Sequence, residues 1–184
     1  RQKNGISIQE VLEKILTKLL KKKIQIHGAG RTDAGVHATA QSANFLYEKK
    51  IENKKKFINS INFFLKKYFI SIISIKRKNI GFHSRFSATE RVYEYKIINR
   101  QSILALNSNR TWHVKNKLNI NLLKSGAKTL VGVHDFSTFR ASSCSAKSPI
   151  KKMKDIKVSK KNDEISIIFK SESFLQNQVR SMVG

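Results

Sequence analysis

The sequence predicts an α+β protein built from two halves, because helical and strand patterns interleave twice along the chain. Apolar residues recur at helical spacing in some segments and alternate with polar residues in others. The 184 residues, 40% of them hydrophobic, suffice for one domain or two small ones. We place the division after a glycine-containing loop, which gives an N-terminal half of residues 1–84 and a C-terminal half of residues 85–184.

The N-terminal half is predicted to hold two amphipathic helices and short strands. Ser7 and Glu10 form a capping-box pattern immediately before the first helical stripe. In chain order, the predicted elements are a helix at 7–20, strands at 24–26 and 41–46, a helix at 57–69 and a strand at 71–75. We expect the apolar stripes of both helices to form the core of this half.

The C-terminal half is predicted to begin with a long strand, 88–98. In that strand Tyr93, Tyr95 and Ile97 share one face, because successive side chains of a strand point to opposite sides. The predicted elements after it are a strand at 111–114, a helix at 120–130, strands at 150–158 and 164–170, and a helix at 174–184.

A glycine-rich stretch, GAGRTDAGVHA at 28–38, follows the first predicted strand and indicates a site. Gly28, Gly30 and Gly35 can adopt positive φ, so the loop can hold Asp33 at its crest in a fixed direction. Arg31 can pair with Asp33 or bind a phosphate. The alternative is an ordinary surface turn, since short Gly-Xaa-Gly patterns often occur without function.

The charge of the chain predicts a polyanionic partner. Lysine and arginine number 37 and aspartate and glutamate 12, which gives a net charge of +25. Such an excess suits binding to a nucleic-acid backbone. The lysine runs at 21–23 and 54–56 are better explained as solvated faces. Arginine is the more informative residue, because its planar fork suits phosphate and base recognition.

The remaining composition limits compartment and cofactor. Cys144 is the single cysteine, which excludes an intrachain disulfide and fits a reducing compartment, so we expect a cytoplasmic protein. No apolar stretch is long enough to span a bilayer, so we expect no membrane partner. The five histidines lack the paired spacing of a metal site and are predicted to be structural.

Four stretches in order along the chain closely resemble the tRNA pseudouridine synthase A family. The first is the glycine-rich stretch above, and the second is FHSRFSAT at 82–89 with Arg91 and Tyr93-Glu94-Tyr95 after it. The third and fourth are HDFSTFR at 134–140 and FLQNQVRSMVG at 174–184. The resemblance also implies an opening strand before Arg1 and further residues after Gly184, so we expect the sequence to be a fragment.

The resemblance implies a role for each of six residues. Asp33 would be the catalytic nucleophile, Tyr93 the aromatic side chain that stacks on the target base, and Arg180 the partner of the aspartate. The residues implied to bind substrate are Arg31, Arg85 and Arg140. From the residues alone, Tyr93 can also be a core tyrosine and Arg180 a surface charge on a packing helix.

The family's fold and reaction are implied in the same way. The fold would be two ferredoxin-like, RRM-like halves that form one mixed sheet with a central active-site cleft. The protein would be a homodimer that converts uridine to pseudouridine at positions 38–40 in the anticodon arm of tRNA. This isomerisation involves no net redox or hydrolysis, so no cofactor and no metal are expected. It needs an ionised carboxylate, a neighbouring cation and an aromatic platform.

Three other classes fit the sequence less well. A dinucleotide oxidoreductase needs a third glycine where Asp33 stands, and a metal-dependent nuclease needs clustered carboxylates. An RNA-recognition module would show an aromatic-rich signature that residues 80–83 do not match. A catalytically inactive RNA-binding descendant of the synthase remains the alternative.

Overall fold

The structure is a computed structural model that describes residues 5–33 and 35–184. Its described residues fall into two compact units. The first unit comprises 5–33 and 38–88, and the second comprises 35–37 and 89–184. Ala34, within the first motif, lies outside the described residues. The division between halves at residues 84 and 85 stays a prediction.

The first unit contains two helices and a two-stranded antiparallel sheet. Its elements are α1 (Ile8–Leu20), β1 (His27–Gly28), β2 (Ala43–Asn44), α2 (Lys54–Leu65) and a 3₁₀ turn (Lys66–Tyr68). The predicted cap of α1 is confirmed, because the Ser7 side chain accepts a hydrogen bond from the Glu10 backbone N–H. Apolar side chains from one face of each helix form the core of this unit, which includes Val11, Leu16, Ile61 and Leu65.

The strand predicted at 24–26 is wrong as a hydrogen-bonded element, although its burial pattern is correct. Ile24 and Ile26 are buried on either side of an exposed residue. The backbone of this segment is satisfied by side chains of α1, which replace a neighbouring strand. The Ile26 N–H donates to Glu13 Oε1 at 3.0 Å, and Gln9 Nε2 donates to the Ile26 carbonyl at 2.9 Å.

Two further predictions for this unit need correction. The predicted strand at 41–46 shortens to β2, and 71–75 is not assigned as a strand. The Asn62 side chain of α2 forms hydrogen bonds with both backbone groups of Ile72. It accepts from the N–H at 2.7 Å and donates to the carbonyl at 3.0 Å. Phe69, predicted to be core, is fully exposed, because the chain leaves the helical path there in a left-handed conformation (φ 54°).

The second unit is built on a five-stranded mixed sheet. Its elements are β3 (Arg91–Asn99), β4 (Trp112–Val114), α3 (Ile120–Thr129), β5 (Gly132–Asp135), a 3₁₀ turn (Ser137–Phe139), β6 (Ile150–Lys161), β7 (Glu164–Ser171) and α4 (Gln178–Val183). The spatial order is β4-β3-β7-β6-β5, with β3 and β4 parallel and the other pairs antiparallel. The predicted α+β class is confirmed.

The alternation predicted for the long strand β3 is also confirmed. Tyr93, Tyr95 and Ile97 face the core of the second unit, where α3 and α4 also pack. Strand β7 alternates in the same way, and its second residue, Ile165, is completely buried. This alternation is the direct consequence of the two-residue period of a strand with one covered face.

Helix α4 is shorter than predicted, and strand β5 was not predicted. The helix predicted at 174–184 begins only at Gln178, because Asn177 has a left-handed conformation (φ 62°) and the Gln178 side chain accepts from the Leu175 N–H. Strand β5 lies at the edge of the sheet and exposes Val133, so its side chains show no strand-like alternation of apolar residues.

Candidate active site

The loop that carries Asp33 is closed at its base by β1 and β2. His27 pairs with Asn44 and Gly28 with Ala43, and Gln41 Nε2 donates to the Gly30 carbonyl at 2.8 Å. Arg31 and Asp33 are both exposed in this loop. A pair of antiparallel strands joined by such a loop fixes where the loop begins and ends.

Only one of the three motif glycines has the backbone conformation for which glycine was expected. Gly35 has a φ of 81°, which favours glycine over any residue with a Cβ atom. Gly28 and Gly30 are not among the described residues with positive φ. A Cβ atom on Gly30 would meet nothing within 4 Å, so neither backbone conformation nor space requires glycine at this position.

The second motif is attached to the base of this loop through Ser84. Its hydroxyl donates to the His27 carbonyl at 2.6 Å, and its N–H donates to Asn44 Oδ1 at 2.9 Å. Ser84 is 3% exposed, so these bonds are shielded from water. They join residues 57 and 40 positions apart and hold the turn that contains Arg85 against β1 and β2.

Aromatic rings line that turn. The His83 ring lies between those of His27, at 5.2 Å between centroids, and Phe86, at 4.5 Å. The Arg85 guanidinium carbon lies 5.8 Å from the centroid of Phe86. The Arg85 N–H donates to His83 Nδ1, which fixes the imidazole within the turn. We call the rings of His27, His83 and Phe86 the ring stack.

In the second unit, Tyr93 is held by strand pairing and by an aromatic contact. It lies on β3 opposite Phe169 of β7 and is half-buried. Its ring meets Phe174, from the fourth motif, edge to face, with the centroids 4.9 Å apart. Tyr93 therefore packs against the core of the second unit and remains partly accessible.

The third and fourth motifs meet within the second unit. The Ala141 N–H donates to the Gln176 carbonyl at 3.0 Å, which ties the chain after the 3₁₀ turn to the chain before α4. Arg140 directly precedes Ala141 in the sequence, and Arg180 follows Gln176 by four residues; both arginines are exposed. Gln178 is 1% exposed, and its Nε2 has no hydrogen-bond partner among the described residues.

Two ionisable groups in this region have lowered pKa values. Hydrogen bonds from Ser137, followed by the charge of Arg140, lower the pKa of the Asp135 carboxyl. Backbone hydrogen bonds at Gln176 and Ala146 lower the pKa of the Cys144 thiol, and nearby positive charge acts in the same direction. Both shifts favour negative groups beside Arg140.

The structure therefore divides the six predicted site residues equally. Asp33, Arg31 and Arg85 belong to the first unit, and Tyr93, Arg140 and Arg180 to the second. Sequence reasoning did not single out Ser84 or the rings of His83 and Phe86. The sequence did contain a clue to these residues, because all three lie inside the second motif beside Arg85.

The described residues hold neither a cluster of metal-ligating side chains nor a helix suited to span a membrane. Across residues 5–33 and 35–184, no three or more His, Cys, Asp or Glu side chains form a group that could hold a metal ion. In the same described ranges, no helix is long and apolar enough to cross a membrane.

The third and fourth motifs define a class of enzyme. Residues 127–184, which contain both, match a family model described as tRNA pseudouridine synthase. Enzymes of this class are isomerases.

Relatives that match this chain over its full length specify the family. The protein named tRNA pseudouridine synthase A in Pelagibacter ubique is 52% identical over 183 residues, which span all of this chain and 74% of that protein. Those of Neorickettsia sennetsu and Rhodospirillum centenum are 42% and 40% identical over 184 residues, covering 76% and 75% of their lengths. The chain belongs to the tRNA pseudouridine synthase A family, and the resemblance found in the sequence is confirmed.

Proposed function

We propose that the protein converts uridine to pseudouridine at positions 38–40 in the anticodon arm of tRNA. Family membership supports the reaction type, and the net charge of +25 supports a nucleic-acid substrate. The observation that carries the proposal is the exposed carboxylate of Asp33 in a loop closed by β1, β2 and Gln41. An accessible carboxylate is suited to attack a bound nucleoside.

Asp33 is the proposed nucleophile. The N1–C1′ bond of uridine breaks, the uracil turns, and a C5–C1′ bond forms, after which C5 loses a proton and N1 gains one. The sum is an isomerisation that consumes neither an oxidant nor water. The Asp33 carboxylate attacks the ribose or the base and is released at the end, so that the enzyme is regenerated.

The other predicted residues bind and orient the substrate in this proposal. Tyr93 stacks on the target uracil, and its edge-to-face contact with Phe174 supports a fixed ring position. Arg180 keeps the Asp33 carboxylate ionised, since a cation favours the charged form of a carboxyl group. The proposed phosphate or base contacts are Arg31, Arg85 and Arg140.

The proposal extends to assembly and location. The family resemblance supports a homodimer in the cytoplasm, with halves 1–84 and 85–184 contributing to one reaction. Sedimentation of the purified protein, alone and with tRNA, tests the dimer.

The decisive experiment is conversion of tRNA by wild-type protein and by Asp33→Asn, with pseudouridine mapped at single-nucleotide resolution and without added cofactor. We expect Asp33→Asn to abolish conversion and to leave tRNA affinity nearly unchanged. Asp163→Asn is the matched control, because Asp163 is also an exposed aspartate but lies between β6 and β7. It should behave as wild type.

Two results would overturn the proposal. Conversion by Asp33→Asn at the wild-type rate would remove the nucleophile assignment. Tight tRNA binding without conversion by the wild-type chain would identify an RNA-binding descendant that has lost its activity.

A further inference from the structure

Phe86 is exposed although it lies in a tightly held turn. It is 77% exposed, while the neighbouring Ser84 is 3% exposed. Single exposed apolar residues are common on protein surfaces and carry no meaning alone. Phe86 differs because one side of its ring is already supported by the His83 ring, with the centroids 4.5 Å apart and the rings tilted at 37° to each other.

The ring stack is held in place by hydrogen bonds that do not involve Phe86 itself. The Ser87 hydroxyl accepts from the His83 N–H at 3.1 Å, and the Ser87 N–H donates to the His83 carbonyl at 2.8 Å. Ser84 attaches the same turn to β1, as described above. A binding partner of Phe86 would therefore meet a ring whose support is already ordered, which lowers the entropic cost of binding.

The chemistry of the surroundings selects one kind of partner. An exposed aromatic ring with an arginine close by, on a chain of net charge +25, matches the platforms on which proteins stack unpaired RNA bases. Ser84 joins this turn to His27, the first residue of β1, and the Asp33 loop begins where β1 ends. The ring stack thus lies at the base of the loop that carries the proposed nucleophile.

We propose that Phe86, supported by His83, stacks on an unpaired base of the substrate RNA other than the target uridine, and that Arg85 binds an adjacent phosphate. This inference rests on the proposed function, because it takes RNA as the substrate. It adds a second stacking position to the one proposed for Tyr93. The Phe86 platform would orient the RNA loop and so contribute to the choice of uridine.

The test measures binding of an anticodon-arm hairpin to variants carrying Asp33→Asn, so that no conversion occurs during titration. Phe86→Leu keeps an apolar side chain but removes the π face, and we expect about 5- to 100-fold weaker binding. Phe86→Trp should bind at least as well as the parent. Phe63→Leu on α2 is the matched control, because Phe63 is 78% exposed, and it should not change affinity.

A second measurement separates stacking from other effects of the substitution. Each loop nucleotide of the hairpin is replaced in turn by an abasic nucleotide, and binding is measured to the parent and to Phe86→Leu. At one position other than the target, the two changes should be non-additive, since each removes one partner of the same contact. Additive losses at every position, or an unchanged affinity of Phe86→Leu, would overturn the proposal.

The remaining outcomes distinguish this proposal from the proposed function. Conversion of tRNA by the wild-type chain together with additive losses would leave the function standing and remove the platform. Non-additive losses without conversion would keep the platform and remove the activity. A change in oligomeric state on Phe86→Leu, with additive losses, would show that the ring covers a protein surface and not a base.

Discussion

The two units hold their motif residues by different means. In the first unit, the Asp33 loop is closed by two register pairs between β1 and β2 and by one further backbone bond, from the Ala29 N–H to the Ser42 carbonyl, and single side chains add to these restraints. In the second unit, Tyr93 lies on a strand that pairs with β7 over eight register positions, inside a five-stranded sheet. The proposed nucleophile therefore lies in the less extensively paired unit.

This difference has a consequence for mutagenesis. A sheet with many backbone hydrogen bonds keeps its register when one side chain is removed, because the remaining pairs still specify it. A loop held by two pairs, one further backbone bond and a few side chains has no such reserve. Among side chains that only hold the fold and do not meet the substrate, single hydrogen-bonding groups should therefore control activity in the first unit and mainly stability in the second.

After the loss of Asp33 itself, the largest effect is expected at Arg180. Arg180→Ala should lower kcat by about 100-fold or more, because removing a group that stabilises charge at a reacting centre has effects of this size. Arg180→Lys should recover part of the activity, since it keeps the charge and loses the planar fork. Single-turnover conversion of tRNA measures both.

The same residue tests whether the two units take part in one reaction. When Asp33 is already Ala, the further loss of Arg180 should cost little more, because residues that act together are non-additive. Arg110→Ala, an exposed arginine of the second unit outside the motifs, is the matched control. Unchanged turnover in Arg180→Ala would make Arg180 a surface charge on a packing helix.

The next prediction compares two buried serines, one in each unit. Ser84 in the first unit and Ser171 in the second each donate from the hydroxyl to backbone carbonyls, at 2.6 Å to His27 and at 2.9 Å to Lys152. Ser84→Ala should lower kcat about 10-fold, because small displacements of a catalytic group are costly. Ser171→Ala should lower the free energy of unfolding by about 1–3 kcal/mol, with kcat retained.

Turnover assays and urea titrations of both variants decide between these expectations. If Ser171→Ala lowered kcat as much as Ser84→Ala, the contrast between the units would be wrong. If Ser84→Ala changed neither quantity, the attachment of the second motif to β1 would have no functional role.

The sequence predicted best where local pattern and burial agree. Helices α1 and α3 and strand β3 were predicted because one face of each meets the core of its own unit. The segments 24–26 and 71–75 were predicted as strands but pair with no strand among the described residues; instead, side chains of α1 and α2 bond the backbone of Ile26 and Ile72. Alternation reports which face is buried and not which partner accepts the hydrogen bonds.

In the candidate site, too, sequence pattern predicted local features but not contacts between distant segments. The Asp33 loop was predicted from its glycines and acid, which are adjacent in sequence. The ring stack was not predicted, because His27 and His83 are brought together by pairing between distant segments. Family resemblance identified the motif containing Arg85 and Phe86, but only the geometry distinguishes the exposed ring of Phe86 from a core phenylalanine.

A moderate effect is expected for an exposed arginine of the second unit. Arg140→Ala should weaken binding of all tRNAs alike and reduce the slope of log affinity against log salt by about 1, as expected for one lost phosphate contact. The matched control Arg110→Ala removes the same charge outside the motifs. Equal losses for the two variants would mean that only net charge matters at Arg140.

The smallest effect concerns stability and pH in the second unit. Hydrogen bonds from Ser137, whose N–H lies 2.8 Å from Asp135 Oδ1, and the charge of Arg140 lower the pKa of Asp135 below its ordinary value of 3.8. A carboxyl group with a lowered folded-state pKa stabilises the fold above its unfolded-state pKa. That contribution is lost as the pH falls through the folded-state pKa.

Asp135→Asn should therefore destabilise the protein slightly at neutral pH, and the loss of stability as the pH falls below the ordinary pKa of an aspartate should become shallower. Ser137→Ala should have an intermediate effect, because it removes the side-chain hydrogen bond and keeps the backbone one. Urea titrations across this range measure the difference from wild type. A parallel pH profile for Asp135→Asn would show that this carboxylate is not linked to folding.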